Sequence, residues 1–305
     1  MTGTPGTARA VGLRIDVDTH DGMKLGVPRL LEVLAGRGAR GTFYLAMGPD
    51  RSGLAVVNVL RPGFAAKMRR TGAARVYGLR TILSGTLLPA RPVAVAFPEG
   101  ARRIREEGHE TGVHAWDHRR WQDRLPRFNA AEVARELGRA GDAYAAVFGE
   151  PAATYAAPAW LSSADSLLFQ EGLHLAFASD CRGREPFLPV VRGETLRTPQ
   201  VPATLPTLDE ALGDTHDDAD AYFGAMLEAA AAAPWPVLTI HAELEGGPYA
   251  AAFDAFLVRA AAADVAVVPL GELLRRRMAT GAPLPRCGLH YAPVPGRHGV
   301  LSTQD

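Results

Sequence analysis

Residues 11–20 read VGLRIDVDTH, and within them Leu13, Ile15 and Val17 alternate with Arg14, Asp16 and Asp18. A period of two is that of a β-strand, so this strand carries apolar side chains on one face and three charges on the other. Further along, strand-like and helix-like stretches take turns. Helix-like 27–37 is followed by strand-like 41–46, and after an unusual stretch from about 49 to 98, helix-like ARRIREEG leads into strand-like ETGVHAW. NAAEVARELGRAGDAYAAVFG then leads into ATYAA, and SADSLLFQEG into HLAFAS. A helix within 217–233 is ended by Pro234 and Pro236, and PVLTIHA, AAFDAFLVRAAAA, DVAVVPL and a last helix from about 270 complete the series. Strands alternating with helices predict an α/β fold with a mostly parallel sheet, closed or open. If the sheet closes, chemistry belongs at the C-terminal ends of its strands. The expected organisation is a disordered tail over 1–10, one domain over 11–278 with an insertion at about 49–98, and an irregular Pro- and Gly-rich tail over 279–305.

Composition narrows the function classes. At 305 residues, with 47% hydrophobic and 22% charged, the chain can bury a sizeable core. Lys+Arg and Asp+Glu both number 33, so no global charge argues for nucleic acid. Cys181 and Cys287 form neither a CxxC nor a disulfide framework, and MTGTPGTARA lacks the apolar core of a signal peptide, which suggests a reducing cytoplasm. Arginines and glycines interrupt every apolar run long enough to span a bilayer.

Two carboxylates at two-residue spacing lie about 7 Å apart and repel, and the stretch HAWDH supplies a reason to hold them there. His114 and His118 stand at the end of a predicted strand, and imidazoles four residues apart reach one ion if the intervening turn is helical. Two histidines and a carboxylate form a ligand set for zinc and its neighbours that leaves positions open for water and substrate. A divalent cation offsets the repulsion if one aspartate binds it, and the other is then placed to take a proton from water. An isolated HxxxH pair is more often a pair of surface or satisfied core histidines; the DxD and HxxxH stretches together at strand ends favour the metal. VLTIHAELEG puts His241 at the tip of a late strand, with Glu243 and Glu245 on the same side if the strand continues. Imidazole titrates in the range needed to protonate a nitrogen leaving from an amide.

These stretches resemble the polysaccharide deacetylases of the NodB-homology type, metal-dependent hydrolases of N-acyl sugars built on a deformed (β/α) barrel. The resemblance implies that Asp16 is the catalytic base, that Asp18, His114 and His118 hold one divalent ion (zinc, with cobalt or manganese as the other candidates), and that His241, in an LxIH motif with Leu238, is the general acid. The family's third motif reads RxP followed closely by an aromatic. Here AAPAW retains Pro158 and Trp160, with Ala156 where the arginine is expected. That arginine orients the base in the family; Arg14, on the strand face of Asp16, and Arg182 in SDCRG are the two candidates to replace it. Asp180 matches the aspartate that tunes the acid histidine.

From about residue 11 to about 275 the chain is similar to one branch of this family, through GLRIDVDTHDGMKLGVPRLLEVL, HAWDHRRWQ, SDCRGREPF, QVPATLPTLDE and TIHAELEG. That branch also departs from the usual third motif. It implies a deformylase acting on a 4-deoxy-4-formamido-L-arabinose linked to undecaprenyl phosphate, on the route to aminoarabinose-modified lipid A. The alternatives are an N-acetyl-sugar deacetylase with no lipid substrate and, in another class, a non-catalytic sugar- or lipid-binding barrel.

The charge pattern of the insertion bears on the lipid by itself. Arg51, Arg61, Lys67, Arg69, Arg70, Arg75, Arg80 and Arg91 stand against a single acid, Asp50, interleaved with apolar residues such as Val56, Phe64, Met68, Ile82 and Leu87. A basic amphipathic segment suits an anionic membrane surface, where each cation contributes on the order of 1 kcal/mol. Packing of its apolar residues on the domain, with solvated arginines, is the competing expectation. Arg69 and Arg70 are the candidate lipid-phosphate contacts, and Glu243 the candidate for sugar hydroxyls or the new ammonium. A peripheral protein on the cytoplasmic face of the inner membrane is therefore expected, with a backbone N–H near Trp160 stabilising the oxyanion.

Overall fold

The computed structural model describes residues 9–54, 84–297 and 299–305. Its frame is a seven-stranded parallel sheet made of β1 (Arg9–Val17), β2 (Thr42–Ala46), β3 (Glu110–Ala115), β4 (Thr154–Tyr155), β5 (Phe177–Ala178), β8 (Val237–His241) and β9 (Val265–Val268). The strands run in the order β5-β4-β3-β2-β1-β8, with β9 paired to the first half of β1 and β8 to the second. Helices such as Val27–Arg37, Pro98–Glu106, Ala130–Phe148, Ala164–Gly172, Ala250–Ala262 and Leu270–Ala279 connect the strands, as parallel pairing requires. Sheet and helices form a half-barrel, and the predicted helix-strand alternation is reproduced with boundaries shifted by a few residues.

Local chemistry fixes the element ends. Asn129 caps its helix through a reciprocal box with Glu132, Ser163 does the same with Ser166, and Gly38 and Gly149 close helices in the left-handed conformation. The alternation in β1 does not separate core from solvent. Leu13, Ile15 and Val17 are fully buried, and so are Arg14 and Asp16 on the opposite face, because that face lines the inside of the half-barrel. A buried charged face is affordable only if its charges are paired, which makes β1 the first place to look for chemistry.

Three expectations meet a different outcome or none. Residues 279–305 are not irregular: they form β10 (Arg286–Cys287), β11 (Leu289–Ala292) and β12 (Leu301–Gln304). β10 pairs with β6 (Leu188–Val191), which itself pairs with β7 (Glu194–Thr195), and β11 with β12 makes a hairpin. Ser302 and Gln304 are buried, so the segment belongs to the body of the protein. The expectations of a disordered start and of a basic amphipathic insertion fall mostly on 1–8 and 55–83, outside the described residues. Among the described residues, no helix is long and apolar enough to cross a membrane.

Candidate metal and catalytic site

β1, β3 and β8 deliver their last residues to one spot at the C-terminal edge of the sheet. Asp18 follows β1, His114 is the penultimate residue of β3, and His118 opens the helix His118–Arg124, whose N-cap is Asp117. The strand-to-helix junction folds the two rings to a centroid separation of 5.2 Å. Asp18 faces both: its Oδ1 lies 3.3 Å from His114 Nε2 and its Oδ2 lies 3.3 Å from His118 Nε2. All three offer ligand atoms within 4.8 Å of one another.

His114 decides what belongs between them. Its Nδ1 is 2.9 Å from the Ala156 carbonyl oxygen, which can only accept, so Nδ1 carries the hydrogen and Nε2 presents a lone pair to Asp18. His114 Nε2 and Asp18 Oδ1 are both buried without a hydrogen-bond partner among the described residues. Two acceptors cannot satisfy each other. A cation resolves the conflict, and one carboxylate with two imidazoles is a donor set for a divalent transition metal. Burial pushes Asp18 up, but the His118 and His114 imidazoles outweigh it and hold the carboxyl well below its usual range. Burial brings His118 down to about 4, which favours the neutral, ligating imidazole.

Asp16 sits beside this triad, with Oδ2 3.6 Å from His114 Nε2. Arg14, two residues earlier on the same face of β1, grips it with both arms: Nε donates to Oδ1 and Nη2 to Oδ2, each at 2.7 Å. Arg14 Nη1 donates to the Ser179 carbonyl at 2.6 Å, which holds the guanidinium against the β5 side of the sheet. Burial raises the Asp16 pKa, and Arg14 followed by His114 more than reverses it, leaving the carboxylate ionised. Of the two candidates for the missing third-motif arginine, the contact with Asp16 is made by Arg14. Arg182 instead pairs with Glu210 at 3.1 Å and donates to the Leu205 carbonyl at 2.9 Å.

Parallel pairing of β1 with β8 sets Asp16 opposite His241. Burial lowers the His241 pKa, but Asp209, Asp18, Asp16 and Glu243 together lift it to about 9. Asp209 leads these charges, and Asp180 is not among them. Asp180 is buried and receives hydrogen bonds from Gln200 Nε2 at 3.0 Å and Gln170 Nε2 at 3.3 Å; burial raises it, against the pull of these bonds and of the Arg14 charge. β8 stops at His241, and 242–245 form a helical turn, so Glu243 and Glu245 do not continue a strand face. Glu245 folds back to accept the His241 backbone N–H at 2.8 Å and is raised to about 7 by burial. Glu243 stays near the triad: burial first and Asp18 next push it well above the carboxylate range, and its Oε2 is buried without a partner.

The AAPAW loop supplies the remaining wall. Its Ala159 and Trp160 both take positive φ, 53° and 50°, a conformation costly for residues with a Cβ and common at functional sites. A backbone N–H near Trp160 is the expected oxyanion donor: that of Trp160 itself is turned to the Ala157 carbonyl at 3.2 Å, whereas the Ala159 N–H makes no hydrogen bond to a described residue. The Trp160 ring is buried and surrounded by the guanidinium groups of Arg14, Arg182 and Arg297 at 5.2, 4.9 and 4.5 Å from its centroid. Arg69 and Arg70 lie outside the described residues. Sequence reasoning missed Asp209, Glu210 and Arg297. Asp209 and Glu210 stand in QVPATLPTLDE, a stretch that signalled the resemblance but no role; Arg297 carried no signal.

Comparisons with known proteins bear on the family and the fold. Residues 6–175 match the polysaccharide deacetylase family. Over 294 residues the chain is 33% identical to a Shewanella sediminis protein named "Probable 4-deoxy-4-formamido-L-arabinose-phosphoundecaprenol deformylase ArnD", covering 96% of this chain and 94% of that one. A protein of the same name from Wigglesworthia glossinidia brevipalpis is 28% identical over 286 residues, 93% and 98% of the two chains. Among solved structures, a Mycobacterium smegmatis protein assigned as a polysaccharide deacetylase superposes with a TM-score of 0.63 at 20% identity, over 93% of this chain and 95% of that one. The peptidoglycan deacetylase PdaC from Bacillus subtilis gives 0.52 at 13% identity, over 91% and 97%. These two share the fold.

Proposed function

The chain belongs to the polysaccharide deacetylase family, and from that premise we propose that it is a metal-dependent deformylase of 4-deoxy-4-formamido-L-arabinose linked to undecaprenyl phosphate, in aminoarabinose modification of lipid A. It is a hydrolase of amide bonds. The observation that carries the narrower reading is the convergence of the Asp18, His114 and His118 triad, the Arg14-gripped Asp16 and the opposed His241 at one sheet edge. This occurs in a chain that shares a third of its residues with a deformylase-named relative along nearly its whole length.

Asp18, His114 and His118 would hold the ion, for which zinc suits two imidazoles and a carboxylate best, with cobalt or manganese as substitutes. When bound, such an ion supplies Lewis acidity to the amide carbonyl and lowers the pKa of water toward neutrality. Asp16, ionised and held by Arg14, accepts the proton of the attacking water. His241, protonated at neutral pH, donates to the sugar nitrogen as its bond to the formyl carbon breaks, leaving formate and a free amine. The Ala159 N–H, free where that of Trp160 is not, takes the role of oxyanion donor, and Glu243 faces the sugar hydroxyls or the new ammonium. The charge of Asp180 supports Arg14, and Arg182 holds Trp160 in the pocket wall.

The lipid half of the proposal rests on the cationic, apolar stretch at 50–92, whose Arg69 and Arg70 would meet the anionic surface at the cytoplasmic face of the inner membrane. The substrate assignment is tested by offering the purified protein the formamido and the acetamido forms of the same undecaprenyl-phosphate sugar and measuring the free carboxylic acid. Formate from the first in at least tenfold excess over acetate from the second supports deformylation; the reverse preference assigns a deacetylase.

A further inference from the structure

The C-terminal hairpin, whose segment reads as irregular in sequence, reaches the Trp160 ring, which the guanidinium of Arg14 also faces. β11 and β12 are joined by 293–300, and a turn closed by the Arg297 N–H on the Val294 carbonyl at 3.1 Å places Arg297 at the tip. The hairpin is tied down on both sides of the site. The Ser162 N–H donates to Ser302 Oγ at 2.9 Å, the Arg182 N–H donates to the Ser302 carbonyl at 2.9 Å, and the Gln304 N–H donates to the Arg182 carbonyl at 2.9 Å. Val294 packs against Trp160, Ala203 and Leu301. Gly296 has φ of +77°, and a Cβ there would run into the Glu210 carbonyl, so the tip is shaped for close approach.

Arg297 emerges from this turn over Trp160, with its guanidinium 4.5 Å from the ring centroid and its Nε donating to Glu210 at 2.7 Å. The three guanidiniums on that ring are used differently. Arg14 is spent on Asp16 and Ser179, and Arg182 on Glu210 and the Leu205 carbonyl. Both Nη groups of Arg297 lack a hydrogen-bond partner among the described residues, and its side chain retains 15% exposure. Asp209, Glu210 and Asp18 are among the carboxylates whose charge acts on it. The indole Nε1 of Trp160 is a second donor on the same ring, buried and without a partner among the described residues.

We propose that Arg297, with the Trp160 indole N–H beside it, binds the phosphodiester anion through which the sugar is carried. The proposal rests on the deformylase reading for the identity of that anion: one pentose ring separates the amide to be cut from the phosphate, and Arg297 shares the Trp160 ring with the Arg14 that grips Asp16, so the charge is met one side chain away from the catalytic carboxylate. A guanidinium fork with two free amino groups matches two phosphate oxygens, and the aromatic face behind it fixes its plane. This assigns the C-terminal hairpin to substrate selection.

The test compares two soluble substrates with the same formamido sugar, one a short-chain prenyl phosphodiester and the other a methyl glycoside without phosphate. The readout is the ratio of their kcat/KM values for formate release. Arg297→Gln is expected to lower the phosphodiester-to-glycoside ratio ten- to a hundredfold, on the order of one lost charge-assisted hydrogen-bond pair. Arg297→Lys, which keeps the charge and loses the fork, is expected to fall between, and it carries the test if the glutamine variant does not fold. A ratio within twofold of wild type in the folded variant overturns the proposal. If the wild-type protein releases formate from neither substrate, the deformylase reading fails instead. Calorimetric titration with dimethyl phosphate and with inorganic phosphate then decides the anion site: diester binding weakened at least tenfold by Arg297→Gln upholds it, and equal binding by both proteins, or binding of inorganic phosphate alone, refutes it.

Discussion

Arg14 holds Asp16 from two residues away on the same strand, Nε on Oδ1 and Nη2 on Oδ2, both at 2.7 Å. The pair lies on the inner face of the half-barrel, buried together, so the arginine both neutralises the carboxylate and fixes its plane. Arg14→Lys keeps a charge but loses the fork. It is expected to cut kcat at least tenfold while leaving metal content intact, as measured by formate release beside elemental analysis. Arg14→Ala, which strands a buried carboxylate, should cost about 3–5 kcal/mol of stability in denaturant titration.

The division of labour between the two aspartates is separable. Asp16→Asn should bind one metal per chain like the wild type and lose turnover by a factor of a hundred or more. Full activity in that variant removes Asp16 as the base.

His114 is fixed by its Nδ1–H on Ala156, leaving Nε2 for the ion. His114→Ala should lose stoichiometric metal under conditions where the wild type retains it, read by elemental analysis after dialysis. Unchanged stoichiometry excludes His114 from the ligand set.

How much of this was legible in the sequence follows from the range of each constraint. The DxD of β1, the HxxxH at the β3 end and the LxIH of β8 are short segments in which residue type and spacing are set by the chemistry itself, so Asp16, Asp18, His114, His118 and His241 stand out locally. Arg14 was one of two candidates because its partner is two residues away. Arg182 and Arg297 meet at Glu210, 28 and 87 residues distant, and nothing in a local window encodes such a contact. The hairpin of 289–304 reads as irregular in sequence because its four-residue strands are flanked by prolines and glycines and show little alternation. A motif places Asp180 in the tuning role by local spacing, whereas Asp209, the first of the charges that raise His241, is 32 residues away from it and has no local signature.

His109 predicts an acid sensitivity unrelated to catalysis. It is buried, accepts the Gly41 N–H on Nδ1 at 3.2 Å, and burial lowers its pKa from 6.5 to about 4. The unfolded chain therefore binds more protons between those values, and stability falls as pH drops from about 7 to about 4. The midpoint of guanidinium unfolding should move down over that window, and His109→Gln should flatten the dependence.

Gly26 lies where a Cβ would run into the Ala242 carbonyl, just after His241. Gly26→Ala is expected to cost about 1–3 kcal/mol through overpacking, visible as a lower thermal midpoint.

The central claim is that one ion held by Asp18, His114 and His118 enables hydrolysis of a formamide between Asp16 and His241. Its most direct test is mass spectrometry of a formamido-arabinose polyprenyl phosphate incubated with the protein, with the chelator-stripped protein, and with the stripped protein resupplied with zinc. Loss of the formyl group with the first and third and not with the second is the predicted result. Conversion by the stripped protein, or none by the zinc-loaded one, contradicts the account.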